Sequence, residues 1–282
     1  MTDSKKIVSW IIKVGLLFVP ILPLIVTRSM FFPFITGRNF IFRIIIEIVF
    51  VLWLWLAFTD SEYRPRSSWV LYSFAALIGI LFLSTIFSIS PYKSFWSSFE
   101  RMEGFWGFWH YFLYFLVLIS VFRKADWMRF FLISLGTSVL ISFYGFLQLL
   151  GKLDVHQGSV RLDATMGNAT YLAIYLVFHI FLLANFFLKT QNKWFRLVYG
   201  VLALLELFIV YHTATRGAIL GFLAGMVVFS LVSAIWSKGL LRKVAVGVLA
   251  LAIITPVLFM VFKNSRFVQE SQVLSRFASI SF

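Results

Sequence analysis

The 282-residue sequence contains no cysteine. Disulfides, thiolate metal sites and cysteine nucleophiles are therefore excluded. Charge is scarce as well: 13% of residues are charged and 61% are hydrophobic, against about 25% and about 45–50% in a soluble globular domain. So much apolar surface needs a bilayer as its solvent. No G-x-x-x-x-G-K-[ST] run is present, which removes a P-loop, and no G-x-S-x-G run points to a serine hydrolase. The four histidines, His110, His156, His179 and His212, have no metal-ligand spacing. Nucleotide-sugar chemistry around a divalent metal has no support, and no metal or cofactor is expected. Tandem repeats, low-complexity linkers and a soluble domain are absent too.

What is present is a series of long apolar runs, rich in phenylalanine (35 residues) and tryptophan (10 residues). A helix needs about 20 mostly apolar residues to cross the hydrocarbon. By that measure the sequence predicts about nine spans, near 7–27, 39–58, 68–88, 105–122, 127–150, 170–188, 195–213, 217–237 and 241–262. Ten-residue alternating segments, the mark of a barrel, are missing, so the fold class is all-α, a polytopic membrane helix bundle. The N-terminal "MTDSKK" precedes an apolar run without a small-residue cleavage site, and reads as a retained first span. Residues 1–262 form the transmembrane domain. Residues 263–282 read as the start of an outer loop, which makes the chain look truncated. The formal net charge is +14. In a membrane protein this fits cytoplasmic loop charge plus a site for an anionic, lipid-borne ligand. A small excess of lysine and arginine favours a cytoplasmic N-terminus.

That orientation places every chemically unusual loop on the outer side. "TATRGA" is the tight turn between the seventh and eighth spans. It holds Arg216 near interface depth, beside Thr213 and Thr215, where a helix begins with free N–H groups. An arginine fork and a helix N-terminus together favour a phosphate-like anion. The simpler alternative is a snorkelling arginine anchoring a span end. The loop "GKLDVHQGSVRLDATMGNATYLA" carries Arg161, which either meets a diphosphate or pairs with Asp163. Asp163 and Asn168 are candidates for sugar hydroxyls, and Asn168 or Thr170 is a candidate helix cap. His156 is the one histidine worth testing as a base. "SFERMEGFW" sets Glu100 and Glu103 on one helical face with Arg101 elsewhere, among Trp96, Phe99, Phe105, Trp106 and Trp109. Its charges face either a polar pocket or the rim of an aromatic belt. Inside the spans, Arg43 and Glu47 are expected to pair at i,i+4. Glu206 has no evident partner and is either protonated or lines a polar path.

Three motifs in order, "SFWSSFERMEGFWGFWHYFLYFLVL", "ATMGNATYLAIYL" and "TATRGAILGFLAGMVVF", resemble the O-antigen ligase-related family of bacterial membrane glycosyltransferases. The resemblance spans roughly residues 85–230. It implies a GT-C-like inner-membrane protein that transfers a glycan from an undecaprenyl-diphosphate carrier to lipid A-core, a protein or a polysaccharide. It also implies an inverting, metal-independent reaction at the outer face. Arg101, Arg161 and Arg216 would hold the diphosphate. Glu100, Glu103, Asp163, Asn168 and Thr215 would contact substrate. Two departures stand out: Thr215 replaces a usual serine, and Thr170 stands where a second asparagine is common. The family's large outer loop, with the histidine that activates the acceptor, would follow residue 282. The rival readings are a polymerase using the same donor, and a transporter or flippase of a lipid-linked anion built on Arg43, Glu47 and Glu206. No nucleic-acid partner is expected.

Overall fold

The computed structural model describes residues 3–98, 101, 103–156, 161–270 and 274–278. Every regular element among them is a helix: α1 (Asp3–Phe18), α2 (Thr36–Thr59), α3 (Trp69–Ile86), α4 (Pro91–Trp96), α5 (Phe105–Val121), α6 (Lys124–Leu149), α7 (Ala169–Lys189), α8 (Lys193–His212), α9 (Arg216–Trp236), α10 (Gly239–Phe262), α11 (Arg266–Glu270) and α12 (Leu274–Ala278). Eight segments are long and apolar enough to cross a membrane. The ninth expected span is α5, which has 17 residues. At 1.5 Å per residue it extends about 26 Å, short of the roughly 30 Å hydrocarbon core. The Gly104 backbone lies so close to the Phe95 carbonyl that an added Cβ would collide with it, and α5 begins directly after this contact. Large side chains point outward along the helices, among them Phe58, Phe82, Ile80, Phe178 and Val261. Such an exterior is stable only in apolar surroundings.

The chain forms two compact units, Met1–Thr137 and Ser138–Phe282. In the first, α1, α2 and α5 pack together, with α3 against α5. Ile12, Leu16, Val49, Trp53, Leu56, Val117 and Val121 form its core. The α1–α2 approach depends on Gly15, whose added Cβ would lie 2.7 Å from Val49 Cγ2. Ion pairs close one end: Lys5 to Asp60 at 3.2 Å, Lys13 to Asp126 at 2.7 Å and Arg123 to Glu62 at 2.6 Å. Asp60 also accepts from the Glu62 N–H. That bond, with the Lys5 ammonium, holds its carboxyl below the usual carboxylate range.

In the second unit, α7 packs against α8 and α9 against α10, with α7 also touching α9. Leu172, Leu176, Leu183 and Ile209 are fully buried. Gly225 admits the Phe181 ring, whose Cζ would lie 2.7 Å from an added Cβ. Short connections force adjacent helices to run antiparallel.

Gly15→Leu should lower the unfolding temperature in detergent, because overpacking at such a contact costs about 1–3 kcal/mol. Gly79→Ala, where an added Cβ meets nothing within 4 Å, should leave it unchanged or raise it.

Candidate functional site

Helix α8 ends at His212 and α9 starts at Arg216. The three residues between them must reverse the chain. Ala214 does so with φ +49°, a left-handed conformation that costs a non-glycine residue roughly 1–2 kcal/mol. Strain of this kind persists only where neighbours over-determine it. Here Thr213 donates its hydroxyl to the Val210 carbonyl at 2.7 Å, and its N–H to the Ile209 carbonyl at 3.0 Å. Arg161 then clamps the turn from another loop. Its Nε donates to the Thr213 carbonyl at 2.9 Å and its Nη2 to Thr215 Oγ1 at 2.9 Å. Leu162 N–H adds a bond to the His212 carbonyl at 3.4 Å.

The clamp brings two cations to one place. Arg161, Arg216, Thr170 and Thr215 line a cavity of about 580 Å³, whose remaining wall includes Ile174, Val177, Phe178 and Gly221. Arg216 is the first residue of α9, whose N-cap Thr215 provides no side-chain cap bond. The first helical bond of this turn runs from Ile219 N–H to Thr215, so the Gly217 and Ala218 N–H groups precede it. Uncapped N–H groups, the positive end of the helix dipole and two guanidinium groups favour an anion at the mouth. The apolar wall extends from Thr170 to Phe178 along α7, about 12 Å at helical rise. Phe178 is 75% exposed. The cavity therefore joins two guanidinium groups and a helix start to an exposed apolar groove.

Beside it, Gln148, Asp154, His156 and Ala164 gather around a buried carboxylate. Asp163 is fully buried. Its Oδ1 accepts from Gln148 Nε2 at 2.8 Å and faces His156 Nδ1 at 3.2 Å; its Oδ2 accepts from the His156 N–H at 2.9 Å. Gln148 also accepts from the Ala164 N–H at 2.8 Å and donates to the Asp154 carbonyl at 2.7 Å. A carboxylate at this distance from one ring nitrogen fixes the orientation of the imidazole. Asp163 thus orients a histidine, rather than pairing with Arg161 as one reading of the sequence had it. Asn168 caps α7 by accepting from the Thr170 N–H at 2.8 Å, and Thr170 turns to the cavity.

The remaining sequence candidates lie in the first unit. Arg101 is exposed, and its carbonyl accepts from Asn39 Nδ2 at 3.3 Å. Glu103 lines a separate cavity of about 260 Å³ with Asn39, Arg43 and Tyr111. Glu100 lies outside the described residues. Of the three arginines, then, Arg161 and Arg216 share a cavity, and Arg101 belongs to the other unit. The aromatic residues of this stretch pack on one another, with Phe95 and Trp96 against Trp106 at 5.6 and 5.8 Å. Glu47 does not rely on Arg43 alone: its Oε1 lies 3.0 Å from His110 Nε2, while His110 Nδ1 faces the Trp106 carbonyl at 2.8 Å. That contact spans 63 residues and had no sequence signal. The Asp163–His156 and Gln148–Asp163 links were also unread. Their only signal was three polar residues crowded around a span end.

No family model matches the chain, and neither a curated protein nor a solved structure matches it.

Gln148→Ala should leave the buried Ala164 N–H without its acceptor and take one donor from the Asp163 carboxylate. We expect a loss of about 1–3 kcal/mol, read locally as faster amide exchange at Ala164.

Proposed function

We propose that this protein transfers a glycan from a polyprenyl-diphosphate carrier to an acceptor hydroxyl, in the manner of the O-antigen ligase-like enzymes its motifs resemble. The single observation that carries the reading is the composite cavity of the second unit, with two arginines at an uncapped helix start and a groove open to lipid below them. A free phosphate would need no such groove. A lipid tail alone would need no guanidinium pair.

The chemistry follows from the charges. As the glycosidic C–O bond to the diphosphate breaks, negative charge gathers on the leaving oxygen. Arg216, the Thr215 hydroxyl and the first N–H groups of α9 offer donors already fixed in place. Fixed donors stabilise the developing charge more than the resting diphosphate. Arg161 supplies charge while its clamp keeps that geometry. The acceptor oxygen must lose a proton as it bonds to the sugar. His156, with Asp163 behind its Nδ1, is the base in this chain, taking that proton on Nε2. In this reading the protein sits in a bacterial inner membrane with a cytoplasmic N-terminus and a GT-C-like bundle.

Two measurements test the scheme in membranes carrying a lipid-linked donor. Arg216→Ala should reduce transfer about 10²–10³-fold, the usual effect of removing one charge-stabilising donor. Arg216→Lys should recover little of it, since a point charge lacks the bidentate fork. Wild-type transfer by Arg216→Ala would remove this arginine from the site. For His156→Gln the readout is the split between kcat and KM: kcat should fall while the KM for the donor stays as in wild type. Wild-type kcat in the variant would remove His156 from the chemistry.

A further inference from the structure

Glu206 is fully buried in the middle of α8. Its Oε1 accepts from Ser138 Oγ of α6 at 2.6 Å. Its Oε2 has no hydrogen-bond partner among the described residues. Two more buried oxygens of the same unit share that condition, Ser142 Oγ and Tyr175 Oη. Ser142 lies one turn beyond Ser138, on the same face of α6, and is itself fully buried. Tyr175 of α7 is close enough for the Glu206 charge to act on its phenol. The ring of His179 lies tilted against Tyr175 at 4.1 Å and turns Nδ1 to the Tyr175 carbonyl at 2.8 Å. No lysine or arginine forms an ion pair with Glu206 among the described residues, where Ser138 is its hydrogen-bond partner.

A bare carboxylate cannot remain in this setting without compensation. Buried charges are paired, neutralised or bound to a cation, and an ionisable residue at membrane depth marks a site by default. The buried polar atoms of this region, those of Glu206, Ser138, Ser142 and Tyr175, are oxygens carried on three helices. Oxygen donors suit a hard cation. One carboxylate balances one positive charge, whereas a divalent ion would leave a net charge in the hydrocarbon. We propose that Glu206, Ser138, Ser142 and Tyr175 form an intramembrane site that takes up a single monovalent positive charge, either a proton or a sodium ion. As a proton it sits on Oε2 and makes the carboxyl a donor to the neighbouring hydroxyls. As sodium it is held by the carboxylate and those hydroxyls together. The inference does not rest on the transferase reading, and no donor substrate is needed to test it.

The test uses the full chain in phosphatidylcholine nanodiscs, with infrared spectroscopy and thermal unfolding. If the charge is a proton, wild type shows a carboxylic C=O band that Glu206→Gln lacks and Ser138→Ala shifts. If it is sodium, that band is missing in sodium chloride. The unfolding temperature then rises with sodium relative to choline, and Glu206→Gln abolishes the rise. Ser138→Ala should raise the sodium midpoint about tenfold, as for one lost ligand. The proposal is overturned if folded Glu206→Gln matches wild type in both the band and the sodium response. Should Glu206→Gln not fold, Ser138→Ala decides: an unmoved band together with an unmoved sodium midpoint overturns it equally.

Discussion

The Arg161 guanidinium, laid across the Thr213–Thr215 turn, is the contact on which the second unit's site depends. Two long helices, α8 and α9, meet through three residues, one of them in left-handed geometry. Such a turn would relax if nothing held its carbonyl and hydroxyl. Arg161 reaches it from a loop more than fifty residues earlier. The same contact that stabilises the turn therefore delivers a cation to the start of α9. Structure and the proposed chemistry share one side chain, and the proposed anion site is a by-product of closing the turn.

A second constraint follows from solvent. In hydrocarbon, each polar group must find its partner within the chain. Near the end of α6 this is achieved in full. Gln148 and Asp163 satisfy each other, a histidine and backbone groups of the same loop. Deeper along the same helix the matching fails, around Glu206. The contrast between a saturated polar core and an unsaturated one, a few turns apart, separates a scaffold from a candidate ion site. In the first unit the expensive groups cluster differently. Asp126 is buried between Lys13 and the first turn of α6, and His110 is buried against Glu47. Lys13 neutralises the first, and a hydrogen-bond contact holds the second.

Much of this was legible in the sequence. The apolar runs marked helices α2, α3, α5, α6, α7, α8, α9 and α10 within a few residues of their observed limits, whereas α1 ends at Phe18, nine residues before the expected end of its span. The crowding of Thr, Arg and Gly at 213–217 marked the turn. Arg161 and Arg216 were grouped, together with Arg101, by the resemblance of the motifs, and the fold brings the first two to one cavity. Spacing along one helix suggested an Arg43–Glu47 pair and said nothing about the histidine on another helix that Glu47 meets.

The sequence by itself determined that this chain is a bundle of apolar helices with its unusual chemistry gathered in loops, because hydrophobicity and period are local properties. Tertiary structure alone decided which polar side chains meet. It set Asp163 on His156 rather than Arg161, Arg161 on the turn of another hairpin, and Glu206 on the Ser138 hydroxyl. A hydrogen bond forms only where folding brings donor and acceptor within about 3 Å, and no linear pattern encodes that distance.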